Sequence, residues 1–268
     1  MKIPEAGEAM NSKDDFIAVF DSGVGGVSVL RELVGLMPGE RFLYYGDSAN
    51  APYGTRPVEQ VRSLTLDAAR MLMARGLKAL VVACNTATAA AIGELRRAYP
   101  DTIVVGIEPA LKLAAERFPG GRVGVMATPV TLHLEKFDLL LHRFDGACQV
   151  TEIPAPGLVE LIEAGRVDSP ETASFLRDLL TPYVGRLDAL VLGCTHYPFA
   201  AHVIAGILGP ETVLLDGGAG TARETRRRLE AAGLLQDGPG QVVLENSRNS
   251  PEVLALCRRL LEAPAFSR

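Results

Sequence analysis

The chain has 268 residues, 27 basic and 32 acidic, for a formal charge of −5, with 48% hydrophobic and 22% charged residues. This is the mixture of a soluble, well-packed protein, long enough for one large α/β domain or two smaller ones. Mild acidity argues against nucleic acid as the main partner, because phosphate binding needs a basic surface, and no apolar run approaches the roughly 18 residues of a membrane span.

Residues 1–15 contain Glu5, Glu8, Asp14 and Asp15 and no hydrophobic stretch, so they are expected to be a polar extension and not a secretory signal. Apolar runs then predict strands at 16–20 (FIAVF), 41–45 (RFLYY), 79–83 (ALVVA), 102–106 (TIVVG), 122–126 (RVGVM), 148–153, 189–193 (ALVLG) and 212–215 (TVLL). Amphipathic stretches such as 57–75 and 87–99 separate them. Strands that are apolar throughout and alternate with helices indicate parallel sheets covered on both faces, hence an α/β fold. Residues 79–84 (ALVVAC) and 189–194 (ALVLGC) echo each other, with cysteines 110 positions apart. The echo predicts two similar α/β halves. Ligands of open parallel sheets sit beyond the carboxyl ends of the strands, where both cysteines fall, so two thiols can approach one ligand from opposite sides.

The cysteines are Cys84, Cys148, Cys194 and Cys257, with no C-x-x-C pair. Without an export signal they are expected to be free thiols in the cytosol. Asp21-Ser22-Gly23-Val24-Gly25-Gly26 ends the first strand, and a helix expected over 27–37 would favour an anion at its N-terminal amides. A dinucleotide fingerprint competes with this reading: residues 23–28 nearly match G-x-G-x-x-G, and Asp47 stands where a ribose-binding acid would. Ser28 replaces the last glycine, however, and Asp21 with Ser22 would crowd a pyrophosphate. Pro52-Tyr53-Gly54 reads as a rigid loop offering backbone amides and a tyrosine near the strand ends.

Cys84-Asn85-Thr86 supplies a thiol and two hydrogen-bonding side chains at a helix start, which is expected to lower the thiol pKa from about 8.5 and enrich thiolate. Gly193-Cys194-Thr195-His196-Tyr197-Pro198 supplies a second thiol with His196 as a proton partner. Cys-x-His at a strand end is not a usual zinc arrangement, and no lysine sits in a pyridoxal-like setting, so no metal and no cofactor are expected. The basic run at 223–228 is most simply a solvated helix face, with an anion or effector site as the alternative.

DSGVGG, DSANAPYG, CNTA and GCTHYP, in this order and at these spacings, resemble the glutamate racemases, cofactor-independent enzymes of the aspartate/glutamate racemase superfamily that supply D-glutamate for peptidoglycan. The similarity runs from about residue 16 to 228. It implies two α/β domains, one of residues 16–106 plus 216–268 and one of 107–215, with the active site in the cleft between them. It also implies that Cys84 and Cys194 are the two catalytic thiols, Cys84 taking the proton from D-glutamate and Cys194 from L-glutamate. Asp21 and His196 match the residues that activate them. Ser22, Asn85, Thr86 and Thr195, with Tyr53 and Gly54, match the groups that hold the amine and carboxylates, and Glu163 matches a further acidic residue. The resemblance further implies a cytoplasmic homodimer acting on glutamate. Ala155-Pro156 stands where relatives often carry Cys-Pro, and Asp216-Gly217-Gly218 where Asp-Ser-Gly is usual.

Two thiols suit such a reaction. Inversion without a cofactor needs a base on one face of the α-carbon and an acid on the other, and a cysteine pKa can be tuned so that thiolate and thiol coexist. A racemase for aspartate or another acidic amino acid, and a nucleotide-binding oxidoreductase built on the glycine loop, are the alternatives.

Overall fold

The computed structural model describes residues 12–133, 139, 141, 142, 144 and 146–263. Residues 1–11 of the expected polar extension therefore lie outside the described residues. Nine strands form two sheets, both parallel throughout. The first holds β1 (Phe16–Asp21), β2 (Arg41–Gly46), β3 (Leu77–Val82), β4 (Ile103–Gly106) and β9 (Gln241–Asn246). The second holds β5 (Arg122–Ala127), β6 (Gln149–Pro154), β7 (Ala189–Leu192) and β8 (Val213–Asp216). The chain is thus α/β with two parallel sheets flanked by helices.

The strand orders repeat. The first sheet contains β2-β1-β3-β4 and the second reads β6-β5-β7-β8, so each half is ordered second, first, third, fourth, with β9 added outside β2. The echoed segments accordingly occupy the same place, the third strand of each half. β3 is buried along its whole length and so is β7, which is why both read as unbroken apolar runs.

Helices among the described residues include α1 (Val27–Leu36), α2 (Val58–Met73), α3 (Asn85–Ala98), α4 (Leu111–Arg117), α5 (Pro129–Leu132), α6 (Leu158–Glu163), α7 (Pro170–Leu180), α8 (Ala201–Leu208), α9 (Gly218–Ala231) and α10 (Pro251–Glu262). α5, α7 and α10 share a start signal: Thr128, Ser169 and Ser250 cap the helix by accepting a backbone N–H, and proline follows each. Proline there needs no N–H and presets the helical φ. α1 packs against α9 and α10, and α2 against α3. The chain thus leaves the first sheet after β4, builds the second, and returns through α9, which also touches β4 and β3. Among the described residues no helix is long and apolar enough to cross a membrane.

Candidate active site

Three strand ends deliver the chemistry. β1 stops at Asp21, which is fully buried, and turns through the glycine loop into α1. β3 leads through Ala83 to Cys84, and β7 through Gly193 to Cys194, Thr195 and His196. The two halves meet over these ends. Thr195 Oγ1 donates to Asp21 Oδ2 at 3.0 Å, and Ser28 Oγ donates to Thr195 O at 2.9 Å. The glycines are there to let this happen: a Cβ on Gly23 would fall 1.9 Å from Glu163 Oε1, and one on Gly25 would fall 2.3 Å from His196 Nδ1. The anion expected at this loop is the protein's own Glu163, whose Oε1 accepts from Val24 N at 2.6 Å. That occupancy overturns the dinucleotide alternative, because the space a pyrophosphate needs is filled by Glu163 and His196. Asp47 is likewise committed elsewhere, accepting from the Tyr53 hydroxyl at 2.7 Å and from Asn50.

All four cysteines are free and buried. Cys84 is the N-cap of α3. Its Sγ accepts from Ala87 N at 3.4 Å, and its S–H donates to Ser22 Oγ at 3.4 Å. The expected thiolate does not form, however. Burial, followed by the neighbouring Asp21 carboxylate, pushes Cys84 up to about 12, outweighing the hydrogen bonds of Ser22 and Ala87. With these surroundings Cys84 favours the thiol at neutral pH. Asp21 itself is raised by burial, partly countered by His196 and by its bonds from Gly23 and Thr195.

The second sulfur has the opposite surroundings. Cys194 Sγ lies 3.7 Å from His196 Nδ1, and His196 Nε2 lies 2.7 Å from Glu163 Oε1. Burial works against charge on His196, but its Cys194 and Glu163 partners prevail and hold it well above the usual histidine range. Burial would raise Glu163, yet the His196 bond and charge, Val24 N–H and the Ser48 hydroxyl hold it below the usual carboxylate range. An imidazolium backed by a carboxylate thus stands against the second sulfur, and a carboxylate stands near the first.

Of the residues expected at the site, Asp21, Ser22, Cys84, Cys194, Thr195, His196 and Glu163 form one connected cluster. Asn85 is buried beside Cys84, and its Oδ1 has no hydrogen-bond partner among the described residues. Thr86 belongs to a trio that sequence reasoning missed: its Oγ1 lies 3.4 Å from Thr128 Oγ1 and 3.1 Å from Thr131 Oγ1, and the latter two are 2.9 Å apart. α5, which carries Thr131, touches the turn Tyr53–Thr55, so the expected Tyr53-Gly54 loop closes on the same place. The repeat offers the missing signal, since Thr128 follows β5 much as Ser22 follows β1. The basic run lies on α9, where Arg227 and Arg228 pair with Glu224 and Arg226 pairs with Glu230. Arg223, Arg227 and Arg228 also line a cavity between α9 and α4, to which none of the clustered residues belongs.

A family model described as Asp/Glu/Hydantoin racemase matches residues 25–225. The chain belongs to that family. A glutamate racemase of Clostridium perfringens is 45% identical over 249 residues, covering 92% of this chain and 96% of that protein. The crystal structure of a glutamate racemase isoform from Bacillus anthracis superimposes with a TM-score of 0.85 at 32% identity, covering 94% of this chain and 96% of that one. The Thermus thermophilus glutamate racemase, crystallised with β-chloro-D-alanine, gives 0.79 at 37% identity and 96% coverage of both chains. Membership among such relatives makes the chain a racemase, an isomerase whose family works with a pair of cysteines.

Proposed function

We propose that this chain interconverts L- and D-glutamate by a two-base mechanism, with Cys194 and Cys84 on opposite faces of the α-carbon. The observation that carries the reading is the pairing of two buried sulfurs at equivalent strand ends of two like-ordered sheets. A charge on Cys194 is felt at Cys84, so the two are electrostatic neighbours. In the L-to-D direction Cys194, as thiolate beside the His196 imidazolium, takes the α-proton. The electron pair stays on the α-carbon, and Cys84 S–H delivers a proton from the other side. The turnover ends with Cys194 as thiol and Cys84 as thiolate, the arrangement the reverse direction requires. Asp21 opposes negative charge on Cys84, and the ammonium group of bound glutamate supplies the compensating positive charge.

The hard step is formation of a carbanion next to a carboxylate, which preorganised donors must stabilise. Asn85, Thr86 and Thr195 are placed for the amine and α-carboxylate, with the unpartnered Asn85 Oδ1 suited to an ammonium N–H. The hydroxyls of Thr128 and Thr131, with the Tyr53-Gly54 backbone, are suited to the distal carboxylate. We assign residues 16–106 plus 216–268 to one domain and 107–215 to the other, and read the enzyme as a cytoplasmic homodimer supplying D-glutamate for peptidoglycan.

The test is incubation with L-glutamate in heavy water and no additives. Deuterium should enter at the α-carbon as optical rotation decays, faster with glutamate than with aspartate. Cys84→Ser and Cys194→Ser should each lower interconversion by at least about 10³-fold, as for groups needed in every turnover. Unimpaired racemisation by either variant would refute the assignment of bases, and preference for aspartate would move the substrate to the other acidic amino acid.

A further inference from the structure

We propose that Tyr44 is a positioning residue for the Cys194 side of the reaction, acting through the Gly23–Val24 peptide group and the carboxylate of Glu163; this rests on the two-thiol reading above. Tyr44 lies in β2, fully buried, and donates its hydroxyl to Gly23 O at 2.5 Å. Gly46, two residues on, faces the same side of the strand, and a Cβ there would fall 2.3 Å from the same carbonyl oxygen. The Gly23 carbonyl is therefore seated directly on β2, with one hydroxyl to set its direction. Burial, followed by the charge of Asp21, raises Tyr44 well above the usual tyrosine value, so this hydroxyl keeps its proton and remains a donor.

A peptide group is planar, so fixing the Gly23 carbonyl also fixes the Val24 N–H on the far edge of the same plane. That N–H donates to Glu163 Oε1 at 2.6 Å, the oxygen that also meets His196 Nε2 at 2.7 Å. The other nitrogen of His196 faces Cys194 Sγ at 3.7 Å. Hydroxyl, peptide plane, carboxylate, imidazole and sulfur form an unbroken chain of contacts. The second carboxylate oxygen has a separate support: Asn246 Nδ2 donates to Ser48 Oγ at 2.9 Å, and Ser48 Oγ donates to Glu163 Oε2 at 3.2 Å. Both supports come from the first half of the molecule, whereas the imidazole and sulfur belong to the second. Tyr44 thereby makes the geometry of the second thiol depend on correct seating of the first half's glycine loop.

Tyr44→Phe keeps the ring and removes only the hydroxyl. In the full-length enzyme kcat for glutamate should fall about threefold to tenfold, the span of one neutral hydrogen bond, with KM changed by less than about twofold. The deciding measurement is a double-mutant cycle, because residues acting through a common group are not additive. In a Glu163→Gln background the same substitution should lower kcat by less than about 1.5-fold more. Full multiplicative effects, or a rise in KM with kcat unchanged, overturn the proposal. Should Tyr44→Phe fail to fold, Tyr44→Met, which also fills the site with an apolar side chain and lacks the hydroxyl, takes its place in both backgrounds, and multiplicative effects there overturn the proposal equally. An additive cycle in an enzyme that needs both thiols sinks the relay alone; a parent enzyme that exchanges no α-hydrogen sinks the two-thiol reading with it.

Discussion

Glu163 and His196 illustrate how a pair of side chains can be given opposite protonation preferences by burial and mutual contact. His196 is 2% exposed and Glu163 14%, so their bond is shielded from solvent. Glu163 has a folded value below its unfolded one, so its contribution to stability is complete above about pH 4.5 and fades as pH falls through the folded value. His196 is raised, so its contribution is complete below about pH 6.5 and fades as pH rises through the folded value. The two windows overlap between these limits. Glu163→Gln should therefore cost most near pH 5.5, about 2 kcal/mol for a charge-assisted hydrogen bond in a buried site. The difference from the parent protein should shrink toward both pH 3 and pH 9. Urea titrations of both proteins across that range measure it, and a difference that does not vary with pH would mean that the pair is not ionised in the folded protein.

At the level of elements, β3 shows what an apolar-run reading misses. The strand expected at 79–83 begins earlier, at Leu77, and includes Lys78, which is completely buried. A lysine is a poor strand-core residue by composition, but this one is fully engaged: Nζ meets Glu40 Oε2 at 2.5 Å, Lys13 O at 2.6 Å and Leu234 O at 3.2 Å. It thus ties three distant segments to the amino end of β3, the end opposite Cys84. Replacing Lys78 by Met leaves Glu40 buried without its cation, which costs about 3–5 kcal/mol. Chemical denaturation should register that loss, while kcat/KM of the folded enzyme stays within about twofold because the lesion lies a strand length from the sulfurs. A large fall in kcat/KM would show that the two ends of β3 are coupled. The same contrast governs legibility elsewhere. Seven of the strands could be read because their interiors are apolar, and β6 (QVTEIP) was read although it is a mostly exposed edge strand; β9 (QVVLEN), a half-exposed edge strand, was not. Yet β9 ends in Asn246, which supports Ser48 and through it Glu163. The gathering of Cys84, Cys194, Asp21 and His196 at strand ends was legible because their motifs are local. The raised pKa of Cys84 was not, because the helix start is visible in sequence but the burial and the Asp21 charge that override it are tertiary. Glu163 meets Val24 across 139 positions of chain, a contact that no local pattern encodes.

For the whole molecule, the repeated strand order puts one cysteine beyond the third strand of each half, and on the two-thiol reading proposed above the reaction needs the halves face to face. The closed arrangement is tight: Cys84 is 5% exposed and Cys194 9%. On that reading glutamate enters when the halves part, and parting must break the bonds that cross between them. Ser28 Oγ to Thr195 O and Ser48 Oγ to Glu163 Oε2 are two such crossings, both made by hydroxyls from the first half. Removing one neutral hydrogen bond of about 0.5–1.5 kcal/mol shifts an opening equilibrium about twofold to tenfold. Ser28→Ala should accordingly speed labelling of Cys194 by a bulky thiol reagent by that factor, followed site by site with mass spectrometry. Labelling of Cys148, which is buried in a core cluster made wholly of second-half residues, should not change, because separating the halves does not uncover it. Saturating glutamate should slow Cys194 labelling in both proteins by holding the halves together from within. Equal Cys194 rates in the parent and Ser28→Ala proteins would mean that the reagent reaches the sulfur by a local breach and not by separation of the halves. Acceleration of Cys148 to the same extent would mean that the substitution loosens the fold as a whole.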